Sequence, residues 1–168
     1  MDPYERCLGE TDITRRIRAL LDGAGVRYRW VEHGPTRTSE DSARARGEPL
    51  EVGGKSIVLR VGETFRVCVI SAASRLNSNR VRKRYGQARA RFATADELLE
   101  RTGLVPGCVP PFGQPVLDLP NALDEGFLAN DRIAFNAGSL CRSVVMGLED
   151  YLQLAEPEIF PFAKPVDG

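Results

Sequence analysis

Ile13, Ile17, Leu20 and Leu21 recur at the three- and four-residue spacing of one helical face. Thr11-Asp12 precede them and Gly23 and Gly25 follow, so the pattern predicts a helix with a polar start and a glycine stop. Val26, Tyr28 and Trp30 then alternate with arginines, the period of a strand. Thr38-Ser39-Glu40-Asp41 has the form of a helix start, with an acid three residues after the cap, and Gly47 is its natural end. Ser56 to Val61 and Phe65 to Ile70 are two β-rich runs around Gly62-Glu63, a pairing that predicts a hairpin with a type II′ turn.

Further on, Asn77 to Tyr85 reads as a short basic helix closed by Gly86, and Arg89 to Phe92 as a short strand. Thr94-Ala95-Asp96-Glu97 is a capping box that opens a helix running to Gly103. Val116 to Leu119, Arg132 to Phe135 and Ser143 to Met146 are strand candidates, and Leu148 to Ala155 is a final helix stopped before Pro157. The tail to Gly168 carries Pro157, Pro161 and Pro165 and is expected to be irregular. About seven short strands interleaved with helices predict an α+β fold: one curled, barrel-like mixed sheet flanked by helices. The length suits a single domain over 1–168, with its core in about 13–155 and an irregular tail at 156–168.

Charge narrows the function classes. Lys+Arg and Asp+Glu both count 23, so a chain that binds nucleic acid by bulk charge is disfavoured while a local patch is not. No apolar run approaches the ~20 residues a membrane helix needs. The first ten residues are polar and lack the apolar stretch of a signal peptide. Cys7, Cys68, Cys108 and Cys141 stand far apart, and His33 is the one histidine. That inventory argues against a zinc site and against a Ser-His-Asp hydrolase, and it fits buried thiols in a reducing cytoplasm.

Five features have candidate chemistry. Gly103-Leu-Val-Pro-Gly-Cys-Val-Pro-Pro-Phe-Gly113 is a stiff loop that can turn backbone N–H groups toward one point, suiting a carbonyl oxygen or an oxyanion; it also reads as a rigid helix-to-strand turn. Gly53-Gly54-Lys55 opens an apolar strand, so the lysine is either a phosphate anchor or a solvated residue at a turn. The Walker spacing is absent. Phe135-Asn136-Ala137-Gly138-Ser139 lies between two strand candidates and by itself is an ordinary turn. From Arg75 to Arg91 the chain carries seven basic residues and no acid, which is a phosphate-contacting face or a solvated helix face. His33, in Glu32-His33-Gly34-Pro35, reads more often as structural than catalytic.

These features occur in one order: Val26–His33, Thr38 opening a helix, Gly54-Lys55 with its strand, the basic helix, Gly107-Cys-Val-Pro-Pro-Phe-Gly113, and Phe135-Asn-Ala-Gly138 with Ser143. In that order the chain resembles the YbaK/ProX family of aminoacyl-tRNA deacylases, also found as an insertion in prolyl-tRNA synthetases, over about Ile13 to Leu154. The resemblance implies a single α+β domain that hydrolyses the ester of a mischarged tRNA, of a tRNA(Pro) type; from the cysteine and histidine inventory, a cytoplasmic location and no cofactor or metal are expected. A prolyl-tRNA synthetase is the implied candidate partner. Lys55 matches the family's functional lysine, which holds the substrate's terminal nucleotide or backbone. Gly107 to Pro111 matches the loop whose backbone binds the aminoacyl group and places water, so Lys55, Gly107 and Pro111 are the expected catalytic set. Cys108, Val109, Pro110, Gly113, Asn136, Gly138, Ser143, His33 and Thr38 are expected to bind substrate, and Arg80, Arg82, Lys83 and Arg84 to contact tRNA. Two positions depart from the family pattern: Asn136 stands where some members carry His, and Pro110 stands where many carry Ser.

An aminoacyl ester is already activated, so positioned water, backbone donors and a cation near phosphate are enough to cleave it. The rival reading is a non-catalytic nucleic-acid-binding or synthetase-associated protein with the same fold. Both use the basic face; only the deacylase requires hydrolysis that depends on Lys55.

Overall fold

The computed structural model describes residues 1–36 and 38–166. Their order is α1 (Pro3–Arg6), α2 (Asp12–Ala24), β1 (Tyr28–Glu32), α3 (Ser39–Arg46), β2 (Gly54–Val61), β3 (Thr64–Ser71), β4 (Ser74–Leu76), α4 (Ser78–Arg84), β5 (Ala90–Phe92), α5 (Ala95–Thr102), β6 (Asn121–Asp124), β7 (Arg132–Asn136), β8 (Arg142–Gly147), α6 (Leu148–Ala155), β9 (Glu158–Phe160) and β10 (Ala163–Pro165). Among them no helix is long and apolar enough to cross a membrane.

The caps act as the sequence predicts. Thr38 Oγ1 accepts from Asp41 N at 3.0 Å and α3 ends on Gly47 at φ 69°. Thr94 and Glu97 close a reciprocal capping box at the head of α5. Helix α2 runs through Gly23 and stops at Gly25, whose φ of 66° provides the left-handed cap.

The fold is α+β, but the strands do not close into one barrel-like sheet of seven. They form a five-stranded sheet in the order β5-β2-β3-β6-β9, a three-stranded antiparallel sheet β1-β8-β7, and a ribbon β10-β4. A bridge between Gly53 and Ala134 ties the two larger sheets together. Gly54 permits that approach: a Cβ there would sit 2.7 Å from Ile133 Cδ1 of β7. The β2–β3 hairpin is apolar in consecutive positions because both its faces are covered. Val58, Val67 and Val69 face the main core with α2 and α6, while Leu59, Cys68 and Ile70 face a second core with Val81, Phe160 and Phe162.

Two expectations need correction. Val116 to Leu119 is not a strand: the Val116 and Leu117 amides both donate to the Gly113 carbonyl at 2.9 Å, folding the segment into a turn that buries both side chains. The tail is not irregular throughout. β9 adds in parallel to β6 and β10 pairs with β4, and between them Asp124 Oδ1 accepts from Phe162 N (2.8 Å) and Ala163 N (2.9 Å).

Candidate active site

One cleft of about 700 Å³ collects residues from widely separated segments of the chain. Thr38, Glu40, Ser42 and Arg46 come from α3 and its cap, Gly53 to Ser56 from the head of β2, and Arg75 from β4. Pro106, Gly107 and Val109 come from the loop after α5, Asn136 from the end of β7, and Tyr4 and Val166 from the two ends of the described chain. Lys55, Gly107 and Asn136 are separated by 52 and 29 positions in sequence, so their meeting has no local cause.

Each element delivers its residue for a definite reason. Lys55 is the second residue of β2, registered opposite Ile70, and its side chain is exposed. The loop is held from behind: Asn136 Nδ2 donates to the Gly107 carbonyl at 2.7 Å, and Tyr151 Oη donates to the Pro111 carbonyl at 2.6 Å. Gly107 has a φ of 95°, a left-handed conformation that favours glycine. The Cys108 amide donates to the Val105 carbonyl at 3.2 Å, and Pro110 and Pro111 have no N–H. Among the loop amides that meet no acceptor in the described residues, those of Gly107 and Val109 belong to residues that line the cleft. Ser56 Oγ is shielded from solvent and also lacks a partner there.

Beneath Asn136 lies a polar network. Its Oδ1 accepts from Arg46 Nη2 (2.9 Å) and from Ser143 Oγ (3.0 Å). Ser143 Oγ accepts from Arg46 Nε at 3.0 Å and lies 2.8 Å from His33 Nε2, while His33 Nδ1 donates to the Gly34 carbonyl at 2.8 Å. His33 and Ser143 therefore stand behind the cleft wall rather than on it.

The other expected substrate contacts lie outside the cleft lining. Cys108 is fully buried in the main core, and desolvation, with the neighbouring Cys7 thiol, pushes its pKa well above the ordinary thiol range. It is a packing thiol and not a nucleophile. Gly138 faces α2: its amide donates to the Cys108 carbonyl, Thr11 Oγ1 donates to its carbonyl, and a Cβ would sit 2.9 Å from Thr14 N. Pro110, Pro111 and Gly113 are buried, and a Cβ on Gly113 would meet the Leu119 carbonyl at 2.5 Å.

The basic stretch divides in two. Arg75 lines the cleft, while α4 carries the rest away from it. Arg80 and Lys83 are exposed without an ion pair among the described residues. Arg82 donates to the Gln87 carbonyl, and Arg84 pairs with Glu158 at 3.1 Å over the Phe160 ring.

Sequence reasoning missed Arg46 and Tyr4. The signal for Arg46 is the composition of α3, SEDSARAR, which has no large apolar residue to turn inward. Its buried positions are Ser42 and Arg46, four apart on one face.

The chain is similar to several known proteins. The model of the aminoacyl-tRNA editing domain family matches residues 33–154. A multifunctional Ser/Thr-tRNA deacylase, ProXp-y, of Escherichia coli K12 is 36% identical over 157 residues, covering 89% of this chain and 92% of that protein. The prolyl-tRNA editing protein ProX of Acetoanaerobium sticklandii is 23% identical over 146 residues, 84% of this chain and 89% of that protein. A crystal structure described as a trans-editing enzyme for prolyl tRNA synthetase superposes with a TM-score of 0.80 at 25% identity, over 93% of this chain and 99% of the other. The order of motifs read from the sequence thus reflects common descent, and the chain belongs to the aminoacyl-tRNA editing domain family, in its YbaK/ProX branch.

Proposed function

We propose that this cleft is where the protein, an aminoacyl-tRNA deacylase, hydrolyses the ester of a mischarged tRNA in trans. The observation that carries the assignment is the convergence of Lys55, the open Gly107 and Val109 amides and Asn136 on one cleft. Lys55 and Arg75, exposed at its mouth, suit the phosphate of the terminal nucleotide. The two loop amides suit the ester carbonyl oxygen and the negative charge that develops on it. Water adds to the carbonyl carbon, the bond to the ribose oxygen breaks, and that oxygen leaves with a proton. The neighbouring ribose hydroxyl of the substrate is a group able to relay this proton from the attacking water. A tRNA(Pro)-type substrate and a prolyl-tRNA synthetase partner are parts of the same proposal, supported by the descriptions of two relatives.

The test is a panel of mischarged tRNAs, including tRNA(Pro), incubated with wild type and Lys55→Ala. Release of free amino acid that falls with the variant is expected. Tight tRNA binding without hydrolysis of any member would replace the deacylase with a binding protein.

A further inference from the structure

The floor of the cleft is charged, and neither nucleotide binding nor ester cleavage uses that charge. Arg46 is 7% exposed, yet no carboxylate pairs with it among the described residues. Glu48, two residues on, is taken by Arg29 and Arg132 at 2.9 Å each. The Nε and Nη2 atoms of Arg46 are bonded to neutral oxygens, those of Ser143 and Asn136. Desolvation pushes its pKa down to about 10, against a weaker opposing pull from Glu48. A buried cation held by neutral acceptors alone is an incomplete arrangement. The edge left over is Nη1, which meets no acceptor among the described residues and lies beside Gly53, where a Cβ would stand 3.7 Å away.

Depth sorts the groups of the cleft. Lys55 and Arg75 are exposed, whereas Arg46, Asn136, Ser42 and Thr36 are buried beside Val109 and Leu140. With the nucleotide at the mouth and the ester at the Gly107–Val109 amides, the aminoacyl side chain ends on that floor. We propose that Arg46 is the specificity-determining residue: its Nη1 donates to a side-chain oxygen of the aminoacyl group. It selects the hydroxyl-bearing serine and threonine over their apolar counterparts alanine and valine. A carboxylate is a poorer match, because the Nε/Nη2 fork that grips carboxylates in two places is already occupied. This inference rests on the deacylase reading.

Discrimination follows from what the wrong substrate leaves behind. A pocket that merely fits a methylene discriminates weakly, whereas a pocket built to hydrogen-bond a hydroxyl rejects the analogue lacking it, because its own donor is stranded.

The experiment compares kcat/KM for one tRNA charged with Ser, Ala, Thr or Val, using wild type and Arg46→Gln. Wild type should favour Ser over Ala and Thr over Val by at least about tenfold. Arg46→Gln should bring both ratios to within about threefold, chiefly by slowing the hydroxyl substrates. Equal slowing of all four by the variant, or no preference in wild type, would overturn the proposal. Hydrolysis of none of the four by wild type would instead sink the deacylase reading. A second measurement needs no variant: the Arg46 guanidinium ¹⁵N resonances of wild type are followed during titration with seryl- and alanyl-3′-amide analogues of adenosine. A shift specific to the seryl analogue is expected, and identical responses would overturn the assignment independently of any folding defect.

Discussion

Asn136 Nδ2 donates to the Gly107 carbonyl at 2.7 Å, fastening the end of β7 to a loop 29 residues upstream. The bond fixes the peptide plane between Gly107 and Cys108, next to the Gly107 and Val109 amides of the cleft lining, which meet no acceptor among the described residues. Arg46 and Ser143 hold the other end of the same side chain. Asn136→Ala should lower deacylation ten- to a hundredfold and cost about 1–3 kcal/mol of stability, the scale of stranding buried partners. Asn136→Asp separates the two effects. It removes the donor to Gly107 and sets a carboxylate oxygen against that carbonyl, but it gives Arg46 a charged partner, so its melting temperature should lie above that of the alanine variant while its activity falls at least as far. An active Asn136→Asp enzyme would mean that the tether to Gly107 is dispensable.

Lys55 is exposed and makes no ion pair among the described residues, so its loss should leave the fold intact. If it anchors the terminal nucleotide, Lys55→Ala should reduce deacylation tenfold or more, matching a charge-assisted hydrogen bond of ~1.5–3 kcal/mol. Single-turnover rates and thermal melts on the same preparations check this. Near wild-type turnover would remove Lys55 from the mechanism.

What the sequence makes legible depends on how local its cause is. The starts of α3 and α5 can be read from Thr38 and Thr94 because each cap closes within three residues. The tail strands cannot, because β9 exists through β6 and β10 through β4, partners far away along the chain. Val116 and Leu117 have strand-like residues, yet the Gly113 carbonyl folds their segment into a turn. At the site, Lys55 and the Gly107 loop are legible as an ordered set of motifs, although each is ambiguous alone. Arg46 is not. An arginine in the last turn of a helix ordinarily compensates the helix dipole in solvent, and only the tertiary approach of Ser143 and Asn136 turns it inward.

Acid stability should report on the head of α5. Arg91 beside Glu97, with the Thr94 amide, holds the Glu97 carboxyl down at about 2, below its usual 4.5. A depressed folded-state value stabilises the protein above the unfolded value and is lost as pH falls through the folded one. The contribution is therefore complete above about pH 4.5 and fades toward pH 2. Glu97→Gln should lower the melting temperature modestly at pH 7 and flatten its decline between those limits. An unchanged slope in a pH series of thermal melts would show that the pair carries no net stabilisation in water.

The basic stretch predicts an uneven response to mutation. Arg80 and Lys83 are exposed on α4 without ion pairs among the described residues, whereas Arg84 is spent on Glu158 and Phe160, and Arg82 on the Gln87 carbonyl. If α4 binds tRNA phosphates, a double neutral variant at Arg80 and Lys83 should weaken tRNA binding. Its log–log salt slope should also fall by about 0.7–0.9 for each phosphate no longer neutralised. Phosphate binding so far from the ester is largely uniform binding, so the Michaelis constant for whole tRNA should rise while the chemical step stays near wild type. Arg84→Ala should behave differently. It breaks an exposed pair worth ~0–1 kcal/mol and uncovers Phe160, so a small drop in stability should precede any drop in affinity. Affinities of the three proteins at two salt concentrations, alongside thermal melts, distinguish the cases. Identical slopes for wild type and the double variant would leave α4 a solvated face and shift tRNA capture to Lys55 and Arg75 at the mouth of the cleft.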